Sequence, residues 1–96
     1  MDRITTAHLN VLCGRLNRAT KSPAERFQSG SNKMNVGHFF IEHGHKGSVG
    51  LVRISNENGG EGDPLHMGKV GKRELFYALH AFIEGIQLNV PAIDKH

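Results

Sequence analysis

The sequence predicts a small α+β domain in which a helix, a two- or three-stranded antiparallel sheet and a second helix follow one another. Two stretches, one towards each end, carry apolar residues at the spacing of an amphipathic helix. Between them, two short apolar runs are separated by a turn-rich connector, as in a β-hairpin. With 96 residues, 38% of them hydrophobic, the chain fits a single domain over 1–96 with a small core.

The first helix is predicted over residues 4–19. Asp2 or Thr5 is expected to cap its start, and Ser22-Pro23 follows its end, where proline discourages continuation. Gly14 inside this helix costs about 1 kcal/mol relative to alanine, or it marks the close approach of another backbone. The apolar stripe comprises Leu9, Leu12, Cys13 and Leu16.

A polar loop is predicted over residues 21–35, with one helical turn at 23–27. The two strand-like runs then cover 36–43 and 49–55, joined by residues 44–48, a connector of hairpin length. Neither run alternates cleanly between apolar and polar residues. We therefore expect both faces of the sheet to be covered, one by a helix and the other by a partner subunit or a third strand.

Residues 56–71 are rich in glycine and predict a long loop, with 65–70 as a short third strand. A loop of this length is uncommon in a small domain unless it is functional or mobile. Residues 56–60 within it are typical of a turn and a mobile loop. Their functional interpretation is a lid over a ligand near Arg53 and the start of the last helix.

The second helix is predicted over residues 72–88, where apolar residues recur at helical spacing. Residues 89–91, which include a proline, are expected to end it. The terminal segments 1–3 and 89–96 are expected to be frayed.

Composition excludes several classes of protein. The single Cys13 cannot form an internal disulfide or a cysteine-based zinc site, and it suits a reducing cytoplasm. No apolar stretch approaches the roughly 18 residues of a membrane span, and the N-terminus lacks the apolar run of a signal peptide. We therefore expect a cytoplasmic protein with no membrane contact.

The charge is mildly basic, at +3 for the whole chain, and it is unevenly distributed. Basic residues outnumber acidic ones over 1–35, whereas acidic residues outnumber basic ones over 36–67. A basic surface attracts phosphate groups or an acidic protein surface. The candidate partner-binding residues are Arg3, Arg15 and Arg18.

A candidate anion site lies at the start of the second helix. Lys72 and Arg73 fall in its first turn, where cations oppose the helix dipole unless an anion is bound nearby. In the alternative, Glu74 offsets them and both project into solvent. The residues predicted to bind the anion are Gly68, Lys69, Gly71, Lys72 and Arg73, helped by Arg53.

Catalytic and metal sites find little support in the sequence. The Gly-Lys spacing here is not that of a nucleotide-hydrolase loop. His43 and His45 could share one face and one ion, but no third ligand has a fixed position, so solvent-facing histidines at a hairpin tip are expected. Cys13 lies on the apolar stripe, where a thiol is a core residue. We therefore expect that the protein is not an enzyme and that it binds no cofactor and no metal.

Three sets of residues carry a resemblance to known proteins: 16–23, 35–39 with 53–60, and Gly68 with 72–77 and 81–86. Through them the chain resembles a family of small accessory proteins of tailed bacteriophages and prophages. Where such proteins often carry an aromatic-Gly-Gly hairpin turn, this chain has His43-Gly44-His45. The resemblance implies a protein that is dispensable for building virions and acts on host machinery or host defence in the cytoplasm of the infected bacterium.

Two versions of a non-catalytic function follow. In one, the protein sequesters a phosphate-bearing small signal at the anion site. In the other, it blocks a host or defence protein through its basic first helix, as anti-CRISPR proteins do. The alternative is a nucleic-acid-binding module, because helix, three strands and helix is also the order of double-stranded RNA-binding domains. A homodimer or larger assembly is expected in either case, since the core is small.

Overall fold

The computed structural model describes residues 3–94, with side chains described as far as residue 88. Within that part, two helices precede and follow a three-stranded antiparallel sheet in the strand order β1-β2-β3, which confirms the α+β prediction. Residues 1, 2, 95 and 96, which fall in segments predicted to be frayed, lie outside the described residues. The elements are α1 (Thr6–Ala19), β1 (Phe39–His43), β2 (Val49–Ile54), β3 (Glu61–Gly62) and α2 (Lys72–Asp94).

Both ends of α1 are closed by hydrogen bonds that the sequence specifies. Thr5 is the N-cap: its side chain accepts from the His8 N–H, and His8 Nδ1 accepts from the Thr5 N–H at 3.0 Å, forming a capping box. At the other end Lys21 adopts a positive φ of 57°, and the Ser22 N–H donates to the Asn17 carbonyl at 2.8 Å. The helix therefore begins and ends close to the predicted bounds.

The sheet directs alternate residues of each strand to opposite faces. Phe39, Val49 and Leu51 point towards the helices and are buried with the apolar stripes of α1 and α2. On the opposite face the Arg26 guanidinium lies 4.1 Å from the centre of the Phe40 ring. The 21–35 loop thus reaches the face for which a partner subunit or a third strand was expected.

The 21–35 segment contains no helical turn at 23–27, so that prediction is wrong. Phe27 and Met34 instead form an antiparallel bridge, and the Asn35 side chain donates to the carbonyls of Glu25 and Phe27. Side-chain hydrogen bonds of asparagine offer the backbone an alternative to a helix. Met34 is buried, whereas Phe27 is half exposed.

The third strand is at Glu61–Gly62 rather than at 65–70, which corrects the sequence prediction. The Asn56 side-chain oxygen accepts from two backbone N–H groups of the 57–60 turn, and this turn sends the chain straight back along β2. Of the predicted strand, only Val70 pairs, through two 2.8 Å hydrogen bonds to Val49.

Helix α2 begins after Gly71, whose carbonyl accepts from the Leu75 N–H at 3.0 Å. Its backbone continues through Pro91 to Asp94, so the expectation that residues 89–91 end the helix is wrong. A proline removes one backbone donor, and water can satisfy the carbonyl left without a partner when a helix end is exposed. No helix in the described part of the chain is long and apolar enough to cross a membrane.

The two helices run in the same direction on one face of the sheet. Ile4, just before α1, and Lys72, the first residue of α2, line one groove. One turn further on, the ring centres of His8 in α1 and Phe76 in α2 lie 6.5 Å apart. Further along, Phe39 contacts both Asn17 of α1 and Phe82 of α2. The N-terminal ends of both helices therefore lie together at one end of the molecule.

Candidate anion-binding groove

A groove of about 540 Å³ opens where the two helices begin, and we call it the basic groove. Three segments that are distant in sequence supply its lining: the chain before α1, the turn between β1 and β2, and the first turn of α2. Three of the five residues that line it are cationic. They are Arg3, Ile4, Gly47, Lys72 and Arg73.

Packing of the neighbouring residues brings these cations together. Ile4 is buried in the core at 4% exposure, and it holds the adjacent Arg3 at the groove, where that side chain is exposed. The Lys72 Nζ donates to the Gly47 carbonyl at 3.4 Å, which joins α2 to the β1–β2 turn. The site is thus built on core contacts as well as on surface side chains.

The local charge favours an anion. Glu74, the acidic residue in the first turn of α2, lies two residues after Lys72, which is about 200° around the helix, and it does not line the groove. The first-turn N–H groups of α2 add the positive end of the helix dipole. The groove is therefore a region of positive potential open to solvent.

Gly68 and Lys69 lie elsewhere, in a cleft of about 210 Å³ that is lined by residues of all three strands. The Lys69 Nζ lies 2.7 Å from Glu42 Oε1, and this hydrogen-bonded carboxylate raises the pKa of Lys69. Asp63, also in this cleft, accepts a 2.8 Å hydrogen bond from the Gly68 N–H, which lowers the pKa of Asp63. Carboxylates outnumber cations among the residues of this cleft, so it does not favour an anion.

Arg53 is separated from the basic groove along β2. It lies four residues beyond Val49, or about 13 Å along a strand, and its guanidinium is 5.8 Å from the Phe39 ring centre. It lines a further cleft together with Asp63 and His66. The structure therefore keeps only Lys72 and Arg73 of the predicted anion site together, with Gly71 directly before them.

The three arginines predicted to bind a partner do not form one patch. Arg3 lines the basic groove, whereas Arg18 lies in the last turn of α1, about 18 Å along the helix from its first residue. Arg15 is half-buried on the same helix. Their role in binding a host protein stays a prediction.

The described side chains offer little for metal or nucleophilic chemistry. No group of three histidine, cysteine, aspartate or glutamate residues between 3 and 88 could share a metal ion. His43 and His45 are exposed around the β1–β2 turn, as expected. Cys13 is buried in the core, and burial raises the pKa of its thiol to about 12, so it is a poor nucleophile.

Sequence reasoning did not associate Arg3 and Gly47 with Lys72. Their proximity follows from the parallel docking of the helices and from the Val49–Val70 bridge, which brings the start of α2 to the β1–β2 turn. Contacts between residues so far apart in a single sequence leave no periodic signal. The apolar stripes predict only that both helices pack against the sheet, and they do not predict which helix ends lie together.

Comparison with protein families, curated proteins and solved structures finds no match to this chain.

Proposed function

We propose that this protein is a non-catalytic binding protein that holds a phosphate-bearing small molecule in the basic groove. The observation that supports this function is the convergence of Arg3, Lys72 and Arg73, from two distant segments, on one open groove. Arginine and lysine together suit phosphate, because the guanidinium presents a fork of donors and the ammonium a compact charge.

The lining favours binding over catalysis. Arginine and lysine side chains are cationic hydrogen-bond donors without an acceptor, so Arg3, Lys72 and Arg73 can neutralise and orient an anion. The remaining lining residues, Ile4 and Gly47, carry no titratable side chain. A groove of this composition can retain a phosphate-bearing molecule without converting it.

The resemblance to phage accessory proteins gives this binding a biological purpose. A protein that retains a phosphate-bearing signal lowers the free concentration of that signal in the infected cell. Host defence that depends on the signal is then suppressed without any contact between this protein and the defence enzyme. The function proposed is therefore sequestration.

The test is calorimetric titration with inorganic pyrophosphate. We expect the double variant Arg3→Gln with Lys72→Gln to bind at least tenfold more weakly than the unchanged protein, since each charge-assisted hydrogen bond contributes about 1.5–3 kcal/mol. The control is Arg15→Gln with Arg18→Gln, which removes the same charge from α1 away from the groove. An equal loss of pyrophosphate affinity in both double variants would mean that only the net charge matters. Unchanged affinity in the Arg3→Gln with Lys72→Gln variant would reject the groove as the binding site.

Nucleic-acid binding is the second candidate, and one observation favours it. The β1–β2 turn, which carries the exposed Lys46, lies at the same end of the molecule as Lys72 and Arg73. Such a surface could follow a phosphate backbone beyond the groove. Affinity for an oligonucleotide would then fall steeply as salt rises, because counterions are released on binding.

A further inference from the structure

An aromatic cluster joins the first turns of the two helices, one helical turn beyond the basic groove. The Phe76 ring is at its centre, 6.5 Å from His8, 5.6 Å from Tyr77 and 5.0 Å from His80 between ring centres. All three contacts are edge-to-face, with interplanar angles of 67–76°. The sequence offered one signal for this cluster, the spacing of four residues between Phe76 and His80 on a predicted helix.

The α2 residues of the cluster follow those of the basic groove by one helical turn. Phe76 follows Lys72 by four residues, and Tyr77 follows Arg73 by four, so the Cβ atoms of each pair lie about 5–6 Å apart. Tyr77 has 54% of its surface exposed, although most large apolar side chains of α2 face the core. A single exposed tyrosine is ordinary, but Tyr77 lies one helical turn from Arg73, one of the three cations that line the groove.

Building on the proposed function, we infer that the ligand is a nucleotide whose phosphates lie in the basic groove and whose base stacks on Tyr77. The ribose would span the one helical turn between the cations and the ring. Stacking suits this surface because every base presents a π-face to an aromatic ring. Stacking does not distinguish one base from another, so we assign the class of ligand, a nucleotide, without naming its base.

The histidines at the rim of the cluster are consistent with this assignment. His8 Nδ1 accepts from the Thr5 N–H, so its other ring nitrogen carries the proton and is available as a donor. Hydrogen-bond donors beside a stacked base contact its edge acceptors. His8, which contacts Phe76, would supply such a donor to a base that extends from Tyr77 over the cluster.

The test compares inorganic pyrophosphate with the four common nucleoside diphosphates, which share its two phosphates. We expect at least one nucleoside diphosphate to bind about five- to a hundredfold more tightly than pyrophosphate, as stacking of one base provides. Tyr77→Ala should lower the affinity for that nucleoside diphosphate to the affinity for pyrophosphate. Tyr77→Phe should retain most of the difference between the two affinities, because the ring remains. Phe27→Ala, at a similarly exposed aromatic residue outside the cluster, is the matched control.

The outcomes separate this inference from the function on which it rests. Pyrophosphate binding with no gain for any nucleoside diphosphate would overturn the nucleotide assignment and leave the anion groove standing. Failure of every probe to bind would overturn both. Much tighter and steeply salt-dependent binding of a ten-residue oligothymidylate would also overturn it, in favour of nucleic acid as the ligand.

Discussion

Asn17 is a polar side chain buried in the core, with 4% of its surface exposed. Its amide nitrogen donates to the Phe39 carbonyl at 3.0 Å, and its amide oxygen accepts from the Phe39 N–H at 2.8 Å. Phe39 belongs to the edge strand β1, and its backbone groups face away from β2. The Asn17 side chain therefore makes the two backbone hydrogen bonds that a neighbouring strand would make to Phe39. These two hydrogen bonds fix α1 to the sheet.

Replacing Asn17 should be costly for that reason. We expect Asn17→Ala to lower the free energy of unfolding by about 2–4 kcal/mol, because both Phe39 backbone groups lose their partner while remaining buried. Urea unfolding followed by circular dichroism measures this change. Asn10→Ala, at an exposed position of the same helix, should change stability by less than about 0.5 kcal/mol. A similar loss in both variants would mean that the Asn17 contact contributes nothing specific.

At the scale of elements, two glycines differ in what they allow. A Cβ at Gly14 of α1 would lie 3.6 Å from the Arg18 Nη1, which is ordinary contact with a flexible side chain. The alternative suggested by the sequence, close approach of another backbone at Gly14, is therefore wrong. At Gly50 of β2 a Cβ would lie 3.0 Å from the Gly68 carbonyl oxygen. The close approach occurs there, where the 63–69 loop crosses the sheet.

Alanine at the two positions should therefore have opposite effects. Gly14→Ala should raise the free energy of unfolding by about 1 kcal/mol, since alanine is the better helix former and the site has room. Gly50→Ala should lower it by about 1–3 kcal/mol through overpacking against the loop backbone. Parallel urea titrations of the two variants measure both. A neutral Gly50→Ala would show that the loop shifts freely away from β2.

The elements that the sequence predicted well are those with a local, periodic cause. The stripe of α1 and the turn at 44–48 depend on residues close together in the chain, and both are present. The third strand was misplaced because Leu65 and Val70 suggested a strand, whereas pairing is decided by the Asn56 turn at the end of β2. Glu61 and Gly62 have no strand propensity to reveal this.

The core of the whole molecule contains one thiol, Cys13, which is 5% exposed. Burial raises its pKa from the ordinary 9.0 to about 12. The folded state therefore favours the neutral thiol, and this contribution to stability is present below pH 9 and is lost as the pH rises towards 12. Reaction with a thiol reagent requires exposure of the core.

We expect Cys13 to react with Ellman's reagent at pH 8 only through unfolding. Its labelling rate should rise with urea along the same slope as the global unfolding equilibrium, because the residue lies between the helices and the sheet. A urea-independent labelling rate would instead indicate a local opening of α1. The fully unfolded protein supplies the reference rate.

The candidate site was predictable only in part at this scale. Lys72 and Arg73 stand out in one sequence because cations in a first helical turn are unusual. Gly68, Lys69 and Arg53 are close to them in sequence or share their charge, but β2 separates their clefts from the groove. Arg3 was assigned to a different role, since nothing local indicates that the chain before α1 meets the start of α2.

The basic groove exists only when Arg3, Gly47 and Lys72 are held together by the docked helices and sheet. An unfolded chain has no equivalent of it, so any ligand of the groove adds its binding free energy to the stability of the entire domain, about 2.7 kcal/mol at a hundredfold excess over Kd. Amide hydrogen exchange would slow even in β3, which takes no part in the groove. A rise in the melting temperature on addition of a compound would therefore report that the compound binds the folded domain.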